Sequence, residues 1–113
     1  MANGKEIDKE TAKQIQDLQM MEQNMQNLLM QKQAFLMESN ETENALEELK
    51  KSGEEVYKIV GQIMIKSKKA EVEKDLKQKK DILDLRLKSI EKQEDLIKEQ
   101  LTKKRDEVIK KLK

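Results

Sequence analysis

The side chains that most often carry protein chemistry are absent from this sequence or stand at spacings that do not use them. There is no cysteine and no histidine, which removes the thiolate nucleophile and the commonest metal ligand and general base. The 23 Asp and Glu residues remain as acid–base groups. At that density in a chain of 113 residues close pairs are inevitable, and on exposed helix faces they serve solvation and intrahelical pairing. Gly61 lies in "VGQIMIK", but that run lacks a second glycine and the Gly-Lys-Ser/Thr ending of a phosphate-cradling loop. The reading is therefore not an enzyme: no catalytic residue, no metal site and no cofactor is expected.

What is left is binding by apolar contact. Met20, Met21, Met25, Met30 and Met37 cluster in the first half of the chain. Met21 and Met25 repeat at the spacing of a helix seam and should pack there. Met20 and Met30 fall off that seam, where a flexible, polarizable side chain can meet unrelated apolar sequences. Ile7, Ala12, Ile15, Val108, Ile109 and Leu112 lie near the two chain ends and supply more apolar groups than a two-helix seam can bury. Together with Met20 they are the candidate contacts for an apolar partner sequence, on condition that the fold brings the ends together. A frayed helix end would expose the same residues without a function. The run Lys66, Lys68, Lys69, Lys74, Lys77, Lys79 and Lys80 lacks interleaved aromatic residues and is interrupted by acids. It reads as a solvated face or as a partner for the acidic first half, and no nucleic acid is expected as a ligand.

The elements that must position these groups are long helices. With one Phe, one Tyr, no Trp and 42% charged residues, the chain cannot fill a compact core. Proline is absent and glycine occurs only at 4, 53 and 61, so helix-forming Lys, Glu, Gln and Leu can run without interruption. A seven-residue repeat runs through Ile7, Thr11, Gln14, Leu18, Met21, Met25, Leu28, Lys32, Phe35, Ser39, Thr42, Leu46 and Leu49. It lapses at Gln14, Lys32, Ser39 and Thr42, and the neighbouring Leu29 and Leu36 predict that the seam drifts there. Lys50 and Lys51 followed by Gly53 predict a helix end with a left-handed glycine cap. A second repeat runs through Leu76, Lys80, Leu83, Leu87, Ile90, Glu94, Ile97, Leu101, Lys104, Val108 and Lys111, with Ser67 as its candidate N-cap. Ile82, Leu85, Leu96, Ile109 and Leu112 widen its stripe.

The predicted helices span 5–52 and 68–112. Residues 1–55 hold 6 Lys against 12 Asp/Glu, a net −6, and residues 56–113 hold 18 Lys/Arg against 11 acids, a net +7. Equal arms around a reversing hairpin predict an antiparallel pair in which facing residue numbers sum to roughly 122, so that both chain ends share one tip, and the opposite charges favour this pairing over self-association of either arm.

Between the helices stands "VYKIVGQIMIK", residues 56–66, whose β-branched and aromatic residues flank Gly61-Gln62. A glycine at the first turn position is what a type II′ two-residue hairpin turn requires. Val60 then faces Ile63 and Ile59 faces Met64. Val56, Val60, Ile63 and Ile65 share one face; Tyr57, Ile59 and Met64 share the other. A lone hairpin that is apolar on both faces is marginal in water, and its unpaired edges invite partners. Val56, Tyr57, Ile59, Val60, Gly61, Ile63, Met64 and Ile65 are accordingly the candidate oligomerisation residues, pairing with hairpins of other chains. The expected fold class is mainly α: two long helices in an antiparallel coiled coil, joined by a central β-hairpin that contributes to an inter-subunit β-barrel.

With these elements in place the chain resembles the archaeal prefoldin beta subunits. The resemblance is carried by "LLMQKQ" (28–33), "ALEEL" (45–49), "EVYKIVGQIMIK" (55–66) and "LRLKSIEKQE" (85–94), and it covers the chain apart from about the first dozen residues. It implies a single prefoldin-like domain over 1–113 within a hexamer of two alpha-type and four beta-type subunits. The hairpins of such a hexamer form a double β-barrel platform from which coiled-coil tentacles hang. It further implies an ATP-independent chaperone that binds non-native proteins at its tips and passes them to the group II chaperonin of the cytosol. One hairpin, where alpha-type subunits have two, is the beta-type pattern. The charged residues near the C-terminus, Lys103, Lys104, Arg105, Lys110, Lys111 and Lys113, are the candidate attraction for the chaperonin.

The N-terminal "MANGKEIDKE" has no signal-peptide core, and the longest uncharged run, "QNMQNLLMQ" at 23–31, is far below the roughly 20 residues of a membrane helix. A cytoplasmic protein that uses no membrane is expected. A structural coiled-coil adaptor for one folded partner is the alternative, and tolerance of many clients separates the two.

Overall fold

A computed structural model describes residues 8–113, in the order α1 (Lys9–Lys50), β1 (Glu55–Val60), β2 (Ile63–Lys68) and α2 (Lys69–Leu112). The packing forms two compact units. One holds the chain up to Lys32 together with Ser89–Lys113, and the other holds Gln33–Lys88.

In the first unit α1 begins at a cap that composition alone does not announce. The Asp8 carboxylate accepts the Thr11 amide at 2.6 Å, satisfying one of the free N–H groups of the first turn. From there α1 and the distal part of α2 run antiparallel. Leu28, Ile90, Leu101 and Val108 are buried along the seam, and Leu18, Met21, Met25 and Ile97 are half-buried. Ion pairs flank it: Glu10 with Lys111 at 3.2 Å, Asp17 with Lys104 at 3.9 Å and Glu22 with Arg105 at 3.2 Å. The first two pairs sum to 121 and the third to 127, in line with the expected register. Exposed pairs of this kind contribute about 0.2–1 kcal/mol each. They therefore select the direction and register of pairing more than they stabilise it.

Two polar positions, one from each repeat, meet across this unit. Lys32 donates to Glu94 at 3.0 Å, and Lys98 holds the other carboxylate oxygen at 3.2 Å. Glu94 is only 8% exposed, so an unpaired charge there would be costly.

In the second unit the seam is formed by Leu49, Leu83 and Leu87, with Phe35, Leu46 and Leu76 half-buried. The predicted drift does not occur. Ser39 and Thr42 are buried in the seam, whereas Leu36 is exposed here and Leu29 is exposed in the first unit. Small side chains at 39 and 42 leave room for Leu83, the most enclosed leucine at 2% exposure, which falls within one residue of Ser39 in the register of the Glu43–Lys80 pair. The Thr42 hydroxyl is satisfied within its own helix, donating to the Glu38 carbonyl at 2.8 Å. The Arg86 guanidinium lies 5.7 Å above the Phe35 ring, a cation–π distance.

The strands pair antiparallel with Ile59 opposite Met64 and Val60 opposite Ile63, as predicted, and Gly61 takes φ +63° at the turn. Each strand is six residues long, so the hairpin is longer than 56–66. Two helix-boundary expectations are corrected by this. Ser67 lies in β2 opposite Val56 and cannot cap α2, which starts at Lys69 directly from the strand. Gly53 does not adopt a left-handed conformation. The end of α1 is closed instead by the Ser52 hydroxyl, donating to the Leu49 carbonyl at 2.7 Å, and by the Lys69 ammonium.

Candidate functional site

The candidate contact residues at the chain ends belong to the first unit. Ile7 lies outside the described residues. Ala12 and Ile109 occupy opposed positions in the register of the Glu10–Lys111 pair, and both are exposed, as are Met20 and Leu112. Ile15 is half-buried. Val108 differs from the expectation of an exposed group: at 6% exposure it packs in the seam, because it occupies a core position of the repeat.

The seam around Val108 is poor in apolar groups. Thr11, Gln14 and Lys104 stand at the neighbouring core positions, and beyond Leu101 no other fully buried apolar side chain follows on α2 among the described residues. The Gln14 side-chain carbonyl oxygen is buried without a hydrogen-bond partner. Few apolar contacts and an unmatched acceptor weaken the packing of this end of the seam. The sequence showed Gln14 as a gap in the repeat, but not that its oxygen would be orphaned.

Charge is fixed firmly at two places in this unit. Hydrogen bonds from Lys32 and Lys98 hold the Glu94 carboxyl below its ordinary value, and the same bond to Glu94 raises Lys32 above the usual lysine value. At the start of α1, hydrogen bonding from the Thr11 side chain and amide holds Asp8 below the usual carboxylate range. Among the C-terminal cations, Lys104, Arg105 and Lys111 are engaged with Asp17, Glu22 and Glu10. Lys103, Lys110 and Lys113 have no side-chain carboxylate within pairing distance among the described residues.

The hairpin belongs to the second unit. Its register places Val56, Lys58, Val60, Ile63, Ile65 and Ser67 on one face and Glu55, Tyr57, Ile59, Met64, Lys66 and Lys68 on the other. Tyr57, Ile59, Val60, Ile63, Met64 and Ile65 are all exposed, Ile59 the most at 69%, and Val56 is half-buried. Lys58 reaches Asp75 of α2 at 3.7 Å, and Glu55 pairs with Lys66 across the strands at 3.2 Å. The sheet has two strands, so both edges carry unpaired backbone groups. Lys79 and Lys80 of the basic run pair with Glu38 and Glu43 of α1, as expected of a partner for the acidic half, whereas Lys77 pairs within α2 with Glu73. Among the described residues no helix is long and apolar enough to cross a membrane.

The described residues thus form antiparallel helices joined by an exposed, apolar, two-edged hairpin. Comparison with known proteins places the chain. The chain belongs to the prefoldin subunit family, which it matches over residues 9–113. It is 37% identical over 105 residues to prefoldin subunit beta of Methanothrix thermoacetophila, covering 91% of this chain and 88% of that protein. To prefoldin subunit beta of Archaeoglobus fulgidus it is 38% identical over 87 residues, 75% of each chain. The crystal structure of the prefoldin beta subunit from Thermococcus strain KS-1 superposes with a TM-score of 0.86 at 28% identity, covering 96% of this chain and 97% of that one. The chain is thus of the archaeal beta type, a chaperone subunit in a family of chaperones and not of enzymes.

Proposed function

We propose that this chain is the beta-type component of a hexamer of two alpha-type and four beta-type subunits, and that it assembles through the hairpin. In that assembly the hairpins share a β-barrel platform, and non-native proteins are captured without ATP at the free ends of the helix pairs. Ala12, Ile15, Met20, Ile109 and Leu112 make the first contacts, and Val108 is reached when the weak end of the seam opens. Clients then pass to a group II chaperonin in the cytoplasm, with Lys103, Lys110 and Lys113 available to an acidic docking surface.

The observation that carries the reading is the hairpin. Six large apolar side chains stand exposed on a two-stranded sheet with free edges, an arrangement that water does not tolerate without partners. Each chain end offers only a few apolar groups, at about 1.5–3 kcal/mol per large aliphatic side chain fully buried. Several ends held at fixed separation are needed to retain a client, and assembly supplies that effective concentration. The one-partner adaptor finds no comparable support, since the relatives are chaperone subunits.

The test is to mix the chain with an archaeal alpha-type subunit, measure the mass of the assembly, and follow aggregation of a panel of unrelated denatured proteins without ATP. A hexamer that suppresses aggregation across the panel is expected. No heteromeric assembly, or suppression restricted to one protein, would overturn the reading.

A further inference from the structure

The junction between the hairpin and the helices contains a residue that violates a local rule. Lys69 is the first residue of α2, where the positive end of the helix dipole disfavours a cation. Its ammonium turns back across the junction and donates to two carbonyls, that of Ser52 at 3.2 Å and that of Lys50 at 3.4 Å. Its backbone amide donates to the Glu54 carbonyl at 3.0 Å. One residue thus holds the carbonyls of residues 50, 52 and 54, which are the last residue of α1 and the link from α1 to β1.

The two sides of the junction need this tie unequally. On the α2 side β2 runs into the helix with no intervening residue, so that connection is stiff. On the α1 side four residues intervene, among them Gly53, around which the structure leaves open space. Helix ends leave carbonyls without intrahelical partners, and here they are met from the opposite strand–helix corner: the negative end of α1 receives the cation that the positive end of α2 does not favour. Glu73, one turn further along α2, lies close enough for Lys69 and Lys50 to contribute to holding its carboxyl below the ordinary value, behind the larger effect of Lys77.

We propose that Lys69 is a positioning residue that fixes the angle at which the hairpin is carried by the two helices of its unit. The inference rests on the assembly reading for its functional consequence: a hairpin that pairs with others transmits a defined direction to its helices only if this corner is rigid. A methionine at 69 has similar length but cannot donate to the carbonyls. An arginine can.

The experiment compares wild type, Lys69→Met and Lys69→Arg, each assembled with the alpha-type subunit, by backbone amide hydrogen exchange and by aggregation suppression. In Lys69→Met, amides of residues 50–54 and 66–72 should exchange roughly tenfold faster, the assembly should keep its mass, and client protection should fall severalfold. Lys69→Arg should retain wild-type exchange and most of the protection. Unchanged exchange in Lys69→Met, or an equal loss in Lys69→Arg, would overturn the proposal. Unchanged client protection by a Lys69→Met assembly of normal mass would also overturn it. A wild-type assembly that protects no client would instead count against the chaperone reading, and the exchange result would still decide whether Lys69 is the tie.

Discussion

Replacing Gln14 with leucine should make the first unit more stable and the chaperone worse. In the structure the Gln14 carbonyl oxygen is buried with no donor, at a core position beside Thr11 and near Val108. An unsatisfied buried acceptor costs about 1–3 kcal/mol, and Gln14 as a whole is half-buried, which places the relief near the low end. Leucine adds apolar burial, again about half of the 1.5–3 kcal/mol for a fully enclosed side chain. The two together come to about 2 kcal/mol, or roughly a 30-fold shift in the opening equilibrium of this end. Hydrogen exchange of the amides around residues 14–18 and 104–111 reads that shift directly. Exchange slowed by about that factor is expected, together with slower capture of denatured clients, because Val108 becomes available only when the seam opens. Exchange that is unchanged or faster would show that the orphaned oxygen is not what weakens this end. Slowed exchange with undiminished capture would show that the surface contacts suffice.

Ile63→Asp and Ile65→Asp should each prevent assembly, since both side chains are exposed on one hairpin face and a carboxylate buried there would lack a partner; hexamers surviving both changes in sedimentation would contradict the hairpin's role. The Lys32–Glu94 layer predicts a pH signature of definite sign. Glu94 is held below its ordinary value, so its contribution is present above the ordinary carboxylate range and lost as pH falls through the lowered folded value. Lys32 is raised, so its contribution is complete below the ordinary lysine value and lost as pH rises through the raised one. The Tm of Glu94→Gln should therefore differ most from wild type at neutral pH and converge with it in acid; parallel curves would refute the assignment.

Much of this fold was legible because its largest signals are periodic. The seven-residue repeats located both helices, equal arms around a reversing hairpin gave their direction and register, and Gly61-Gln62 between β-branched residues gave the pairing of Ile59 with Met64 and Val60 with Ile63. The failures lie where one side chain serves another element. Gly53 resembles a cap by spacing, but the carbonyls it would have helped to close are taken by Lys69, which comes from 17 and 19 residues further along the chain. Ser67 resembles a cap by type, but strand pairing with Val56 claims it first. Lys32 reads as a fault in the first repeat and Glu94 as one polar position in the second; only their meeting across the seam turns them into a layer. Ser39 and Thr42 suggested a drifting seam because their polarity is visible in sequence and the fit of Leu83 is not.

The division of charge between the halves also bears on how the protein is made. A ribosome makes the acidic half before the basic one, and at roughly 5–20 residues per second residues 56–113 take several seconds more. During that interval the first helix has an apolar stripe and no partner. Its net −6 disfavours pairing with the same segment of another nascent chain and favours the basic strand–helix half of its own polypeptide. The charge pattern that aligns the finished helices thus also acts in time, guarding a half-made chaperone against the aggregation that the assembled one prevents in others.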